Sequence, residues 1–419
     1  MLRLNRFYCE LEIIVRILIY GLNYTPELTG IGKYTGELAT WLSERGDDIR
    51  IVSAPPYYPA WQIGQGFSNW WKYHQESDRL SVYRCPLWVP NKPSGLKRIL
   101  HLLSFAITSF PVVLWQGLTW KPDLILLIAP AIACSLGATI TANLSGAKSW
   151  IHIQDFEVDA AFEMGILANN SLKKIILNGE KWIIQQFALV STIAAPMQKR
   201  LLDKGINHDR LILFPNWVDT ESIFPTDSSM RNELGIASEQ IVVLYSGNMG
   251  KKQGLETVVE AAKNIRNPKV LFILCGDGSS RLELELMAQG LENVRFLPLQ
   301  PLENLNNLLN LADIHLLPQR ADVADLVMPS KLGGILACGG AVIATAHAQT
   351  EVANVVNDAG GIVCVPQDVE QLVEKIELLA QNFSDRQTMK IAARNYALKN
   401  LSKHQILKNM HEQLLNLCK

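Results

Sequence analysis

Polar side chains follow a buried, strand-like segment in the first half of the chain. The segment SWIHIQDFEVDAAFEMG contains His152, Asp155, Glu157 and Asp159 in close succession. Carboxylates and an imidazole at the carboxyl end of a parallel strand can orient a hydroxyl group, and α/β folds keep their chemistry at this edge. Their spacing does not suit a metal ion. We take His152 and Asp155 as candidate catalytic residues. The alternatives are a hydrogen-bonded core role for His152 and helix capping by Glu157 or Asp159.

Two glycine-containing loops, each between a strand-like and a helix-like run, could bind an anion. The first, YTPELTGIGKYTGELA, contains Gly30 and Gly32. Glycine lets backbone amides approach a phosphate, and a helix N-terminus adds partial positive charge. The second loop, YSGNMGKKQGLE, supplies the candidates Gly247, Lys251 and Lys252. The alternatives are a plain turn for the first loop and a solvated turn for the two lysines.

The first loop only partly resembles a dinucleotide-binding fingerprint. Thr35 stands at the place of the third glycine, and the second strand, ending in IVSAPP, carries no acidic residue for a ribose. The motif alone therefore does not predict a nicotinamide cofactor.

Three further positions lie near predicted helix starts in the second half. In ADLVMPSKLGG, Pro329 suits a first turn, Ser330 can cap the helix or donate to phosphate, and Lys331 adds a cation. In HAQTEVANVV, Glu351 is a carboxylate in a loop that leads into a helix, and helix capping is its alternative.

Two strand and helix series organise these segments. With 419 residues the chain exceeds what one core usually organises. Continuous apolar runs such as DLILLIAP and KVLFILCGDG predict parallel sheets covered on both faces. We expect an N-terminal extension over 1–15, a first Rossmann-like domain over 16–225, a second over 226–384, and C-terminal helices over 385–419 that pack back toward the first domain.

Composition limits the partners of the protein. The 39 basic and 40 acidic residues create no global field that would attract nucleic acid. The seven cysteines are scattered without a CxxC pair, which favours packing in a reduced cytoplasmic protein over metal binding. Glu10 and Glu12 interrupt the only apolar stretch near the N-terminus, so we do not expect a secretory leader.

One apolar segment raises the question of a membrane. Residues 99–120 carry no charged side chain and follow Lys97 and Arg98. The alternatives are buried helices, a peripheral membrane-docking face with basic flanks, and a membrane span. An aromatic cluster over 57–73 could contact an acceptor or the membrane interface, or could simply order its loop.

The order of these motifs resembles the retaining GT-B glycosyltransferases of family 4, and especially the colanic acid biosynthesis branch. The match runs from Arg16 to the C-terminus. The quoted segments carry it, together with FPNWVD, CGDGSSR and ACGGAVIAT. The resemblance implies two Rossmann-like domains facing across a cleft, a nucleoside-diphosphate sugar as donor, no obligatory metal, and retention of the anomeric configuration. It implies a glycan or lipid-linked oligosaccharide as acceptor, in extracellular polysaccharide synthesis.

The resemblance also assigns residues. It places Gly30 and Gly32 near the donor phosphate and sugar, and His152 and Asp155 near the reacting centre. Around the nucleotide diphosphate it places the GNMGKKQG loop, Gly276 with Asp277, and Ser330 with Lys331.

The chain departs from the family pattern at four positions. Asn248 and Gln253 stand where an arginine and a lysine are common, and Leu326 and Gly334 stand where two glutamates are common. Phosphate neutralisation would then fall to Lys251, Lys252 and Lys331. The rival functions are a nucleotide-sugar epimerase of the same fold, a nicotinamide oxidoreductase, and an inactive donor-binding homologue.

Overall fold

The computed structural model describes residues 14–27, 30–91, 94–130, 132–156, 170–321 and 329–419. The chain divides into two compact units. Unit 1 runs up to Phe214 and also takes in Leu407–Lys419, and unit 2 is Pro215–Ile406. The sequence analysis placed the first boundary later, at 225, and assigned all of 385–419 to the C-terminal helices. Apart from Ile14 and Val15, the expected N-terminal extension lies outside the described residues, as do Glu157, Asp159 and Leu326.

Unit 1 is built on an eight-stranded sheet in the part of the chain that the structure describes. Its strands are β1 (Arg16–Gly21), β2 (Asp48–Ser53), β3 (Lys72–Ser77), β4 (Leu80–Arg84), β5 (Leu124–Ala129), β6 (Lys148–Ile153), β7 (Leu189–Thr192) and β8 (Leu211–Leu213). Its helices up to Phe214 are α1 (Gly30–Glu44), α2 (Gly95–Thr119), α3 (Ser135–Ser145), α4 (Asn170–Ile184) and α5 (Ala195–Asp203).

The strand order of unit 1 creates a switch point between β1 and β5. The order is β3-β4-β2-β1-β5-β6-β7-β8, and only the β3–β4 pair is antiparallel. Every residue of β5, LILLIA, is buried, as expected for a parallel strand covered on both faces. The chain moves to one side of β1 through β2 and to the other side through β5. Ligands of doubly wound sheets bind at the carboxyl ends of the two strands that flank such a point.

Unit 2 repeats this topology with six parallel strands among its described residues. They are β9 (Ile241–Ser246), β10 (Val270–Cys275), β11 (Val294–Leu297), β12 (Ile314–Leu317), β13 (Val342–Thr345) and β14 (Ile362–Cys364). Their order is β11-β10-β9-β12-β13-β14, so the switch point lies between β9 and β12.

The described helices of unit 2 lie before, between and after these strands in the chain, and the last helix continues into unit 1. They are α6 (Met230–Glu233), α7 (Leu255–Asn264), α8 (Arg281–Met287), α9 (Leu305–Asn310), α10 (Ser330–Ala337), α11 (Glu351–Asp358), α12 (Val369–Gln381), α13 (Phe383–Asn400) and α14 (Lys403–Cys418).

The second part of α14 completes unit 1. Leu407, Met410 and Leu414 are buried. Between them, His411 Nε2 lies 2.9 Å from the carboxylate of Asp47, and its ring meets Trp41 edge-on at a centroid distance of 5.9 Å. The final helical turns therefore pack on the segment between α1 and β2.

Helix α2 packs into unit 1 along one stripe only. Its buried residues include His101, Phe105, Ser109, Val113 and Gly117, which recur every four residues on one face. The hydroxyl of Ser109 is 2.7 Å from that of Tyr20 on β1. Of the helices in the described ranges, α2 is the one long and apolar enough to cross a membrane by length and composition, with 28% of its most apolar window buried. The apolar segment over residues 99–120 therefore packs on the sheet of unit 1 with one side and is exposed on the other.

Helices α2 and α3 approach each other closely because each of them has a glycine where they touch. A Cβ on Gly117 would lie 2.2 Å from Thr141 Cγ2, and a Cβ on Gly137 would lie 2.9 Å from the Phe110 ring. Other apolar side chains of the two helices, among them Ile107 and Ile140, are exposed.

Candidate active site

The loops that carry the sequence candidates lie at the switch-point edges of the two sheets. In unit 2, the loop after β9 contains Gly247 to Gly254, and α10 follows the connection from β12. The segment after β10 contains Gly276 and Asp277, and α11 follows β13. Because all these strands are parallel, their carboxyl ends share one edge. The fold thus collects the predicted donor-binding segments of unit 2 at that edge.

Two of these loops pack backbone against backbone, which only glycine allows. Gly276 has φ +143°, and a Cβ there would lie 1.9 Å from the carbonyl oxygen of Gly247. The Gly247 amide donates to Cys275 O at 2.8 Å, and the Met249 amide donates to Asp277 O at 2.7 Å. The loops after β9 and β10 are therefore held together as one rigid surface.

Lys331 lies over this surface. A Cβ on Gly247 would lie 2.4 Å from Lys331 Cε, so the absence of a side chain at Gly247 makes room for the lysine. The Lys331 ammonium donates to the Tyr245 hydroxyl at 2.6 Å and sits 4.5 Å from the centre of that ring. Tyr245 in turn donates to the carbonyl oxygen of Asn248. Burial lowers the pKa of Lys331 to about 8.

The other polar candidates of the β9 loop differ in their exposure. Asn248, Lys251 and Lys252 are exposed, and residues Lys251–Gln253 form a short 3-10 helix. Gln253 is only partly exposed, and its Oε1 atom has no hydrogen-bond partner among the described residues. The loop thus carries two exposed cations, and Lys331 packs over it.

Two predicted helix starts are observed in unit 2. Helix α10 begins at Ser330, whose side chain is exposed, directly after Pro329. Helix α11 begins at Glu351, but its capping side chain is Thr350, which accepts from the Ala353 amide at 3.3 Å. The capping alternative for Glu351 is therefore wrong. Partial burial, with Asp358 nearby, raises the pKa of Glu351.

Unit 1 has a cavity of about 320 Å³ at its own switch point. Residues after β1, β2, β5 and β6 line it together with helix α2. They are Leu22, Asn23, Glu27, Gly30, Ile31, Tyr57, Tyr58, Trp61, Arg98, His101, Leu102, Pro130 and Asp155. The structure thus brings Gly30 and Asp155 to one cavity, although they are far apart in sequence.

Asp155 is the carboxylate of this cavity that remains in contact with solvent. Desolvation raises the pKa of the Asp155 carboxyl. The hydrogen bond from the Phe156 amide and the charge of Arg98 lower that pKa in part. The Arg98 guanidinium lies 5.6 Å from the centre of the Trp61 ring. An accessible carboxylate near a guanidinium and an indole can orient a polyhydroxylated ligand.

Glu27 is a second carboxylate that the sequence reasoning did not single out. It is 6% exposed and accepts from Asn23 Nδ2 at 2.9 Å and from the Tyr57 and Tyr58 amides at 3.2 Å. Burial raises the pKa of its carboxyl. A Cβ on Gly32 would lie 2.7 Å from Glu27, so Gly32 permits helix α1 to pack on this carboxylate. Glu27 fixes the loops that form the cavity.

His152 lies inside the core rather than in open solvent. It is 2% exposed, its Nδ1 is 2.9 Å from the Ser191 hydroxyl, and its ring is 4.7 Å from that of Phe214. Burial lowers the pKa of His152 to about 3, so the imidazole is neutral near pH 7. This environment matches the core alternative raised from the sequence. A catalytic role for His152 stays a prediction, as do the roles of the other site residues.

Aromatic rings in the wall of the cavity come from two segments that the sequence analysis considered separately, the aromatic cluster over 57–73 and the apolar segment over 99–120. Tyr57 and Trp61, from the loop after β2, lie 4.7 and 5.3 Å from the ring of His101 on α2. His101 Nδ1 donates to Trp88 O at 2.6 Å. The helical spacing of the 99–120 segment, with His101 on its buried stripe, was the available signal for this contact.

Comparison with known proteins now defines the class. A family model described as glycosyl transferases group 1 matches residues 227–396, and one described as a glycosyl transferase 4-like domain matches residues 29–217. The chain belongs to glycosyltransferase family 4, and the resemblance drawn from its motifs is confirmed.

Within that class, one relative is similar over nearly the whole chain. A protein of Escherichia coli K12 described as a colanic acid biosynthesis glycosyl transferase, WcaI, is 42% identical over 407 residues, which is 94% of this chain and 98% of that protein. The rival epimerase function is not favoured by this relative.

Solved structures confirm the two-domain GT-B fold. The chain matches sucrose-phosphate synthase from Thermosynechococcus elongatus with a TM-score of 0.71 at 16% identity, over 96% of this chain and 99% of that one. It matches Anabaena Alr3699/HepE, solved with UDP-glucose, with a TM-score of 0.64 at 16% identity, over 95% and 99%.

Proposed function

We propose that the protein is a retaining glycosyltransferase that moves a sugar from a nucleoside-diphosphate sugar to a glycan or a lipid-linked oligosaccharide in extracellular polysaccharide synthesis. The packing of Lys331 over Gly247, at the switch point of unit 2, carries this proposal. The Escherichia coli relative WcaI supports a role in polysaccharide synthesis. The UDP-glucose complex of the Anabaena protein supports a nucleoside-diphosphate sugar as the donor.

In this proposal the donor diphosphate binds at the β9 and β10 loops of unit 2. Lys331 supplies a preorganised positive charge, and the exposed Lys251 and Lys252 add mobile ones. The backbone amides at the start of α10 point toward the same edge. As the sugar leaves, negative charge grows on the diphosphate, so donors fixed before the reaction stabilise the transition state more than the ground state. No metal is part of the proposal.

The acceptor binds in the unit 1 cavity. Asp155 accepts a hydrogen bond from an acceptor or donor hydroxyl and orients it, while Trp61 and Tyr57 provide ring faces for a sugar. Retention of configuration, inferred from the family, places the attacking hydroxyl on the same face as the departing diphosphate.

A donor panel with an Asp155→Asn variant tests the proposal. UDP- and GDP-sugars at saturating concentration should raise the melting temperature of the wild type by several degrees for at least one donor, because a ligand that binds only the native state stabilises it. Asp155→Asn should show the same donor-induced shift, while its transfer rate to acceptor falls about 100-fold or more. Differential scanning fluorimetry and a radiolabelled transfer assay measure the two quantities.

The outcomes separate the parts of the proposal. If no donor in the panel changes the melting temperature, the donor assignment fails. If Asp155→Asn transfers sugar as fast as the wild type, Asp155 has no part in the reaction, whatever the donor result.

We further propose that the protein works on a membrane surface through the outward side of α2 and α3, which we call the apolar face. Its exposed residues recur at helical spacing, and they are Leu96, Leu100, Leu103, Ile107 and Leu118 on α2, and Leu136, Ile140 and Leu144 on α3. Neither helix carries an acidic side chain, and α2 begins with Lys97 and Arg98. Apolar area beside basic residues is what anionic lipid surfaces bind.

Ile107→Glu tests the apolar face. Ile107 is 72% exposed, and losing the transfer of its side chain into lipid should weaken vesicle binding about tenfold or more. Co-sedimentation with vesicles of phosphatidylglycerol and phosphatidylethanolamine measures this. Leu282→Glu, on α8 of unit 2 and 70% exposed, is the matched control and should bind like the wild type. Equal loss in both variants would show that charge alone, and not this face, governs binding.

A further inference from the structure

His101, in the wall of the cavity around Asp155, has a buried nitrogen atom without a hydrogen-bond partner. The residue lines the cavity with Arg98 and Leu102 of the same helix, and it is 2% exposed. Its Nε2 atom makes no hydrogen bond to any described residue. Buried polar groups of native proteins are nearly always hydrogen-bonded, because leaving one unbonded is costly. Such an atom in the wall of a cavity indicates contact with a ligand.

The hydrogen bond on the other side of the ring determines what Nε2 can do. Nδ1 lies 2.6 Å from the carbonyl oxygen of Trp88, which can only accept, so Nδ1 carries a proton. Burial lowers the pKa of His101, so the imidazole is neutral near pH 7 and has one proton in all. Nε2 is then a bare acceptor. It can receive a hydrogen bond from a hydroxyl group but cannot donate one.

The direction of Nε2 follows from the residues around the ring. The two nitrogens of an imidazole point to nearly opposite sides. Trp88, which holds Nδ1, is not among the lining residues of the cavity. Tyr57 and Trp61 do line it, and their ring centres lie 4.7 and 5.3 Å from that of His101. His101 therefore meets the cavity with the edge that is turned away from Trp88, and Nε2 belongs to that edge.

Trp61, one of the two rings that contact this edge, has a strained backbone. Its φ is +53°, in the left-handed region that a bulky side chain rarely adopts, and strain of this kind is found at ligand clamps. The Trp61 ring meets that of Tyr57 edge-on at 5.6 Å. Side-chain rotations are common when a ligand binds. A sugar that turns one of these rings aside can therefore bring a hydroxyl group to Nε2.

We infer that His101 Nε2 accepts a hydrogen bond from one hydroxyl group of the acceptor sugar and so determines which sugars the cavity binds. Asp155 is the second acceptor in the same cavity. Two fixed acceptors select a sugar by the positions of two hydroxyl groups. A sugar that lacks the hydroxyl group facing His101 leaves Nε2 buried and unbonded, and is therefore rejected. This inference rests on the proposed function, in which the cavity binds the acceptor.

Two variants separate the Nε2 atom from the rest of the ring. His101→Asn keeps an amide where Nδ1 stands, which can still donate to Trp88 O, and removes Nε2. His101→Gln keeps a polar atom where Nε2 stands and gives up the bond to Trp88. His74→Asn, at an exposed histidine of β3 outside the cavity, is the matched control.

The probes are the methyl glycosides of glucose, galactose and mannose, with the monodeoxy analogues of the one that binds best, titrated by ligand-observed NMR. In the wild type and in His74→Asn, one deoxy analogue should bind about fivefold or more weakly than its parent glycoside. His101→Asn should bind the parent as weakly as that analogue and no longer distinguish the two, because the contact is already lost. His101→Gln should recover part of the difference.

The other outcomes overturn the inference. If His101→Asn distinguishes the parent from every deoxy analogue as the wild type does, Nε2 does not contact the sugar. If His101→Asn and His101→Gln lose affinity for parent and analogues alike, the ring only packs the loop. If no glycoside binds the wild type, the cavity does not select a sugar in this way. The donor-induced melting shift is measured on the same proteins and should be equal in all of them. Its absence from the wild type would count against the donor proposal without changing the result for His101.

Discussion

Lys331→Met should weaken binding of the nucleoside-diphosphate sugar about 10- to 150-fold. A hydrogen bond to a charged group contributes about 1.5–3 kcal/mol, which corresponds to that range. Methionine keeps an unbranched side chain over Gly247 and removes the charge together with the hydrogen bond to Tyr245, so the packing of the fold should be retained. Isothermal titration calorimetry with the donor found in the panel measures the loss.

A surface lysine provides the matched control for this change. Lys263→Met removes an ammonium from α7 that pairs at 2.9 Å with Glu260, outside the glycine loops. Donor affinity should be unchanged in that variant. If both variants bind donor equally well, Lys331 does not contact the diphosphate.

The pH dependence of donor binding gives an independent test of Lys331. Because burial lowers the pKa of Lys331 to about 8, the free protein loses this charge as the pH rises through that value. Donor affinity should therefore hold below pH 8 and fall above it, by up to about tenfold per pH unit. Lys331→Arg keeps its charge over this range and should give a flatter profile. An identical profile in both proteins would contradict this reading.

Gly276→Ala should destabilise the protein by about 2–6 kcal/mol. The added Cβ would meet the Gly247 carbonyl oxygen at 1.9 Å, and the backbone at φ +143° disfavours an L side chain. Strain and overpacking each cost about 1–3 kcal/mol. Urea unfolding followed by circular dichroism measures the change, and the donor-induced melting shift should disappear as the two loops separate.

A second glycine, Gly290, separates backbone strain from overpacking as causes of the loss of stability. It also has a positive φ of +86°, but no atom lies within 4 Å of the position of its missing Cβ. Gly290→Ala should therefore cost only the conformational strain, about 1–2 kcal/mol. If the two variants have the same free energy of unfolding, the loops after β9 and β10 can move apart to make room for a side chain.

The sequence predicted the class of fold because parallel strands covered on both faces leave a plain signature. Runs such as LILLIA are apolar at every position, and each is followed by a loop and a helix. This repetition predicts two doubly wound sheets. The antiparallel β3–β4 pair was not predicted, since KYHQES is exposed throughout and carries no apolar signal.

The candidate site was predictable in unit 2 and much less so in unit 1. Glycines and lysines in short loops point directly to anion binding, so the loop residues and Lys331 were found. Tyr245 was not found, because a tyrosine inside a buried strand gives no sign that its hydroxyl holds a lysine. Glu27 and His101 were missed for a similar reason: their partners are backbone amides and rings distant in sequence, which only the folded chain brings together.

The return of α14 to unit 1 has a consequence for how the protein is made. Leu407 and Leu414 are fully enclosed in unit 1, and His411 is bonded to Asp47 near the start of the chain. A ribosome synthesises these residues after all of unit 2. Unit 1 therefore stays incomplete, with part of its interior open, until this helix has been made, while unit 2 can already fold. A chain that is terminated before Leu407 would lack part of the unit whose synthesis began first.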